Sequence, residues 1–162
     1  MSARAVAAAV VDPEMPMLTL DDLGVLRDVR TAGDAVTVTI TPTYSGCPAL
    51  DAIRDDLRAA LHQAGYPRVE VRTVLSPPWS TDWISDAGRA KLVEHGIAPP
   101  GRVGPRAAGP IPLTLARPPK RVACPRCGSF ATVELSRFGP TPCTALHRCT
   151  ACREPFEHVK EI

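Results

Sequence analysis

Aromatic side chains are scarce in this sequence: two Trp, two Tyr and three Phe among 162 residues. Long apolar runs are absent as well. Ala5 to Val11 is apolar but short, follows a single Arg4, and meets Asp12-Pro13-Glu14 at once. Nothing approaches the length that spans a bilayer, and a secretory peptide would need a longer core and a small-residue cleavage site. The run is better read as a first helix stopped by Pro13, and no membrane partner is expected. No charge sign dominates either, with a formal net charge of +2. A cytoplasmic location with reduced thiols fits these absences.

Proline, by contrast, is abundant. Eighteen are present, and seven fall between Pro99 and Pro119. That stretch has little periodicity and reads as an extended, semi-rigid linker. Charge divides at the same place. Residues 1–100 hold nine basic and thirteen acidic side chains, whereas residues 117–162 hold eight and four. A two-part protein follows: an acidic domain over 1–97, a Pro/Gly-rich linker over 98–120, and a small basic module over 121–162.

Four of the six cysteines form two knuckles, Cys124-Pro125-Arg126-Cys127 and Cys149-Thr150-Ala151-Cys152. Each pair can grip one ion from adjacent backbone turns. The 21 intervening residues can fold back so that both pairs share it. Four sulfurs in tetrahedral array suit Zn²⁺. Gly128 supplies the positive φ that such a turn favours after its second ligand. A disulfide pair would need an oxidising compartment, and a rubredoxin-like iron site normally has an aromatic-rich core. The tail offers only Phe130, Phe138 and Phe156. A module of fewer than about fifty residues rarely folds without a staple, and zinc can supply about 10–16 kcal/mol. The expected site is therefore structural zinc on Cys124, Cys127, Cys149 and Cys152, closed to substrate.

Periodicity sketches the first domain. A strand is expected around Val25–Arg30 and a turn over Thr31-Ala32-Gly33-Asp34. Val36, Val38 and Ile40 then alternate with threonines, as in a half-buried strand. Leu50, Ile53, Leu57 and Leu61 recur on one helical face, and Gly65 closes that helix. Val69, Val71 and Thr73 mark a third strand. A last helix runs from Ser85, its cap, to His95, with Gly96 as its stop. The order α-β-β-α-β-α predicts an α+β fold with a small three-stranded sheet, followed by the ribbon and its separate sheet.

Cys47 lies between the second strand and the amphipathic helix, in Ser45-Gly46-Cys47-Pro48-Ala49. Pro48 suits the first helical position, which puts Cys47 at or near the N-cap. There the amides of Ala49 and Leu50 and the helix dipole would stabilise a thiolate. Such a thiolate could bind a soft metal or act as a nucleophile. A small buried residue preceding a helix is the plainer alternative.

Two resemblances narrow the choice. Val11-Asp12-Pro13-Glu14, Asp22-Leu23-Gly24-Val25, Gly46-Cys47-Pro48 and Pro77-Pro78-Trp79-Ser80 together resemble the SufT-type iron–sulfur assembly family over about residues 5–95. The resemblance implies maturation of iron–sulfur proteins, with Cys47 as the functional thiol and a transient ligand of iron or an iron–sulfur cluster. Cys124-Pro125-Arg126-Cys127-Gly128-Ser129, Phe138-Gly139-Pro140-Thr141-Pro142-Cys143 and Cys149-Thr150-Ala151-Cys152-Arg153-Glu154-Pro155-Phe156 resemble the C-terminal ribbon of the phenylacetate-degradation D proteins. Those proteins accompany a multicomponent oxygenase that epoxidises the ring of phenylacetyl-CoA, with a di-iron subunit fed by a flavin and iron–sulfur reductase. The resemblance implies an accessory subunit, not an enzyme, whose partners are the oxygenase and reductase subunits. One thiolate cannot hold a bridged cluster alone, so a homodimer or outside ligands would complete it.

Competing classes are weaker. An enzyme using Cys47 as nucleophile lacks a nearby His–Asp pattern, since His62 lies about four turns along the helix. A nucleic-acid-binding ribbon would gather its arginines with exposed aromatics, whereas here they are scattered. Cys143 is off the knuckle pattern and reads as a buried thiol. His147 reads as a surface residue. Trp79 reads as an anchor for the loop after the third strand, with a Trp79–Trp83 partner patch as the alternative.

Overall fold

A computed structural model describes residues 1–44, 46, 49–104 and 121–162. Residues Met1–Lys91 and Leu92–Ile162 form two compact units. Most of the expected linker, residues 105–120, lies outside the described residues.

The first unit opens with helix α1, Ala3–Ala8, capped by the Ser2 hydroxyl, which accepts from the Ala5 amide at 3.2 Å. It starts and ends earlier than the apolar run suggests. Ser2 caps its start, and Val11 instead makes an antiparallel bridge with Thr19. Strands β1, Leu26–Ala32, and β2, Ala35–Ile40, form an antiparallel hairpin. Its turn is tighter than expected: Ala32 pairs with Ala35, leaving Gly33 and Asp34 at the tip. Gly33 has φ +62°, as a glycine-led two-residue turn requires.

Helix α2, Leu50–Gln63, buries Ile53, Leu57 and Leu61, while Asp51–Arg54 and Asp55–Arg58 pair on the outside. It leads to β3, Arg68–Thr73, which joins β2 in parallel. The sheet order is β1-β2-β3. Register places Val36 beside Val69 and Val38 beside Val71. Val36, Val38 and Ile40 are each 1% exposed or less, so the alternating face of β2 is the centre of this core. A 3-10 turn, Thr81–Trp83, precedes α3, Asp86–Glu94. As expected, the Ser85 hydroxyl accepts from the Gly88 amide at 2.9 Å, and Gly96 follows the helix at φ +74°.

The second unit is a four-stranded sheet in the order β4-β7-β6-β5. Its strands are β4 (Ile97–Ala98), β5 (Thr132–Ser136), β6 (Thr144–Cys149) and β7 (Pro155–Val159). Ala98, read from sequence as the first linker residue, thus pairs with His158 inside this sheet. Two residues carry no periodic signal, so nothing in the sequence predicts this strand. Ala98, Val122, Cys124, Cys149 and Phe156 form the small apolar core of the unit. Among the described residues, no helix is long and apolar enough to cross a membrane.

Candidate metal centre and thiol site

Backbone geometry builds the two knuckles in the same way. In the first, the Gly128 amide donates to Cys124 O at 2.9 Å and the Cys124 amide donates to Ser129 O at 2.9 Å. In the second, the Cys149 amide donates to Glu154 O at 3.0 Å. The residue after each second cysteine turns left-handed: Gly128 at φ +72° and Arg153 at φ +66°. The second knuckle thus accepts a side chain where the first has glycine, a conformation disfavoured for residues with a Cβ. Thr150 ties that knuckle to the start of β5, its amide and hydroxyl both donating to Ala131 O, at 2.7 and 2.9 Å.

The four Sγ atoms lie within 4.8 Å of one another. Cys124 and Cys152 sulfurs are 3.7 Å apart, and those of Cys127 and Cys149 are 3.6 Å apart. A Zn–S bond of about 2.3 Å gives a tetrahedral edge of about 3.8 Å, whereas a disulfide would need about 2.05 Å. The spacing is that of a four-thiolate metal site, and the donors fit a structural divalent ion such as zinc. Cys124 and Cys149 are buried, and Cys127 and Cys152 are exposed. The amide of Cys152 brings the Cys149 thiol down to about 7 against burial, with help from the Ala151 amide. Cys152 moves the other way. The Glu154 amide pulls its thiol down, but burial and hydrogen bonds with the other three sulfurs hold it up to about 12. One thiolate is easily formed and the next is resisted. Cys124, Cys127, Cys149 and Cys152 would hold a divalent cation, whose charge would favour the thiolate form of all four.

Cys143 stands apart from this centre. Its sulfur is half-buried, 3.1 Å from the Thr141 hydroxyl, and outside the four-sulfur group. His147 is not a surface residue: it is 4% exposed, stacked on Phe156 and edge-on to His158. Burial, then the neighbouring His158, lowers its pKa, with Glu134 and Glu161 partly opposing them. Its place is legible in the strand period, because Ala145, His147 and Cys149 alternate on one face of β6, the buried one.

Cys47 itself lies outside the described residues. Helix α2 begins later than expected, with Ala49 as its cap residue and no side-chain cap. The first helical hydrogen bond runs from the Ile53 amide to Ala49 O at 2.9 Å. Ala49 has helical backbone angles, and the residues before it, Cys47 and Pro48, lie outside the described residues.

The other motif residues of the first unit have folding roles. Asp12 Oδ1 accepts from the Glu14 and Met15 amides at 2.9 and 2.8 Å. Burial raises the Asp12 pKa in spite of those two bonds. Asp22 is a crossroads. Its carboxylate accepts from the Thr19 amide and hydroxyl at 3.0 and 2.9 Å and from Lys91 Nζ at 2.6 Å. Its carbonyl accepts from the Ser85 amide at 2.8 Å. Although burial works to raise it, the Lys91 and Thr19 contacts leave the Asp22 pKa lowered. Gly24, at φ +68°, backs onto Trp83, where an added Cβ would lie 2.7 Å from Trp83 Cβ. Trp79 is buried and donates from Nε1 to Leu23 O at 2.9 Å, which makes it an anchor. A shared Trp79–Trp83 patch is therefore ruled out. Trp83 is half-buried beneath the Arg27 guanidinium, 3.8 Å from its ring centroid.

Comparison with known proteins decides the family. A protein of Escherichia coli (strain K12), described as the D component of a "Putative 1,2-phenylacetyl-CoA epoxidase", is 42% identical over 158 residues, covering 98% of this chain and 90% of its own. The chain belongs to the PaaD family of phenylacetyl-CoA epoxidase components. Two family models divide it: "Iron-sulfur cluster assembly protein" matches residues 4–75, and "PaaD zinc beta ribbon domain" matches residues 109–160. The Bacillus subtilis protein described as "Fe-S protein maturation auxiliary factor YitW" is 40% identical over 87 residues, 51% of this chain and 82% of its own. A solved Bacillus anthracis domain of unknown function, DUF59, is similar at 30% identity and a TM-score of 0.52. It covers 56% of this chain and 87% of that one. Both the α+β domain and the cysteine ribbon expected from sequence are thus present.

Proposed function

We propose that this chain is a non-catalytic accessory component of the phenylacetyl-CoA ring-epoxidising system, one that helps load iron or an iron–sulfur cluster into the oxygenase or reductase. The observation that carries this reading is the combination of families in one chain. An iron–sulfur assembly domain is joined to the ribbon of an epoxidase component, and the relative that matches over nearly the whole chain bears the epoxidase name. The first domain is the working part, the ribbon is stapled by zinc, and both act in the cytoplasm.

Cys47 is the thiol we assign to the cargo. Asp12, Asp22, Gly24 and Trp79 are occupied in holding the first unit together. Cys47 is the motif residue whose chemistry suits iron, because a thiolate is a soft ligand. A single thiolate binds a cluster only with help, so the client, a second protomer or a small thiol supplies the other ligands. The relatives described as maturation auxiliary factors support an accessory role.

Complementation tests this reading. A strain lacking the protein and carrying Cys47→Ser should fail to grow on phenylacetate, while the variant keeps its fold and its metal. Serine matches the volume of cysteine but stays protonated at neutral pH and binds iron poorly. Normal growth of that strain would overturn the assignment of Cys47.

A further inference from the structure

Among the described residues, strand β5 is an outermost strand of the second sheet, and its outer side is unusually apolar. Val133 and Leu135 are 47% and 53% exposed, and Phe130 and Phe138, just beyond its two ends, are 62% and 71% exposed. Natural edge strands are normally guarded by lysine, proline or inward charge. Here Glu134 is the single charge within the strand. A bulge between Glu134 and Ser136 leaves Leu135 as the extra residue, and bulges at sheet edges re-aim side chains.

The patch is also held in place. The Ser136 hydroxyl donates to Phe138 O at 2.8 Å, and the Phe138 amide donates back to that hydroxyl at 3.1 Å. Lys160 Nζ sits 4.7 Å from the centroid of the Phe138 ring and donates to Arg137 O at 2.9 Å.

Its surrounding charge is positive and unspent. Arg148 stands directly across from Val133 on β6, and Arg137 follows the strand. Both are exposed, and neither forms an ion pair among the described residues. Five arginines of the first unit behave differently: Arg30, Arg54, Arg58, Arg68 and Arg72 each meet a carboxylate of the same unit, while Arg27 covers Trp83.

We infer that the β5 edge docks an extended apolar segment of a partner protein, flanked by carboxylates, which adds as a strand beside β5. Backbone pairing would supply affinity, while Val133, Leu135 and the flanking arginines would select the segment. A nucleic acid is disfavoured because the exposed carboxylate of Glu134 lies in the middle of the strand. The partner's identity as an epoxidase-system protein rests on the function proposed above.

The test uses the purified full-length chain with its metal, titrated against the purified cognate oxygenase and reductase subunits at two salt concentrations. Leu135→Asp should weaken binding to one of them by about tenfold or more. Arg148→Glu should weaken it and reduce its salt dependence. Both variants should keep the metal content of the parent, since neither side chain is buried. The titrations are run with no iron or cluster supplied, so docking can stand even where the cargo assignment fails. No binding by the parent, or equal affinities of the parent and Leu135→Asp, overturns the inference. Loss of a dimer in Leu135→Asp would overturn it by giving the edge to a second copy. Duplex DNA binding abolished by both variants would give it to nucleic acid.

Discussion

Gly24→Ala should destabilise the first unit severely, and for two separable reasons. Gly24 has φ +68°, where a side chain costs about 1–2 kcal/mol. Its Cβ would also stand 2.7 Å from both Cβ and O of Trp83, one of them backbone that cannot swing aside. Overpacking of that kind costs about 1–3 kcal/mol. Stiffening of the unfolded chain by alanine returns about 0.4–1 kcal/mol, so a net loss of about 1–4.6 kcal/mol is expected, centred near 3 kcal/mol. Gly33→Ala is the control. Gly33 has a similar φ of +62°, but nothing lies within 4 Å of its added Cβ. It should cost only the conformational term, about 0–1.6 kcal/mol after the same offset. Urea unfolding followed by tryptophan fluorescence reads the first unit alone, because Trp79 and Trp83 are the two tryptophans of the chain. Equal losses in the two variants would refute the claim that contact with Trp83 fixes glycine at position 24.

Elemental analysis should find about one zinc per chain, lost in Cys149→Ser and retained in Cys143→Ser; iron in place of zinc, or full zinc in the first variant, would contradict the site. Loss of the ion should unfold the second unit and leave tryptophan fluorescence unchanged. Asp22 should make the first unit acid-sensitive. Its folded pKa lies below the ordinary aspartate value, so its stabilisation is complete above that ordinary value and is lost as pH falls through the lowered one. Asp22→Asn should therefore be less stable at pH 7 and show a flatter decline below about pH 4; parallel pH curves for the variant and the parent would sink this account.

Local chemistry is legible wherever it repeats. Alternation in Val36, Val38 and Ile40, the helical spacing of Ile53, Leu57 and Leu61, the Ser85 cap and the paired knuckles each express a period or a fixed spacing, and each appears in the fold as the spacing implies. Features that depend on distant partners are not legible. Ile97–Ala98 becomes a strand because β7 offers it an edge. Asp22 matters because Thr19, Ser85 and Lys91 converge on it from three segments. Arg153 adopts a left-handed turn because the second knuckle requires one, although nothing in its side chain favours it. The burial of His147 is recoverable, since it shares its strand face with Cys149. Polar character argues for the surface, and the strand period outweighs it.

In the function proposed above, Cys47 serves the loading of iron or a cluster into the epoxidase system. Its most direct test is the iron and acid-labile sulfide content of the oxygenase and reductase subunits purified from a Cys47→Ser strain. Both proteins should be present at normal levels, with at least one depleted of iron or cluster. Fully loaded subunits, matching those from the parent strain, would contradict it.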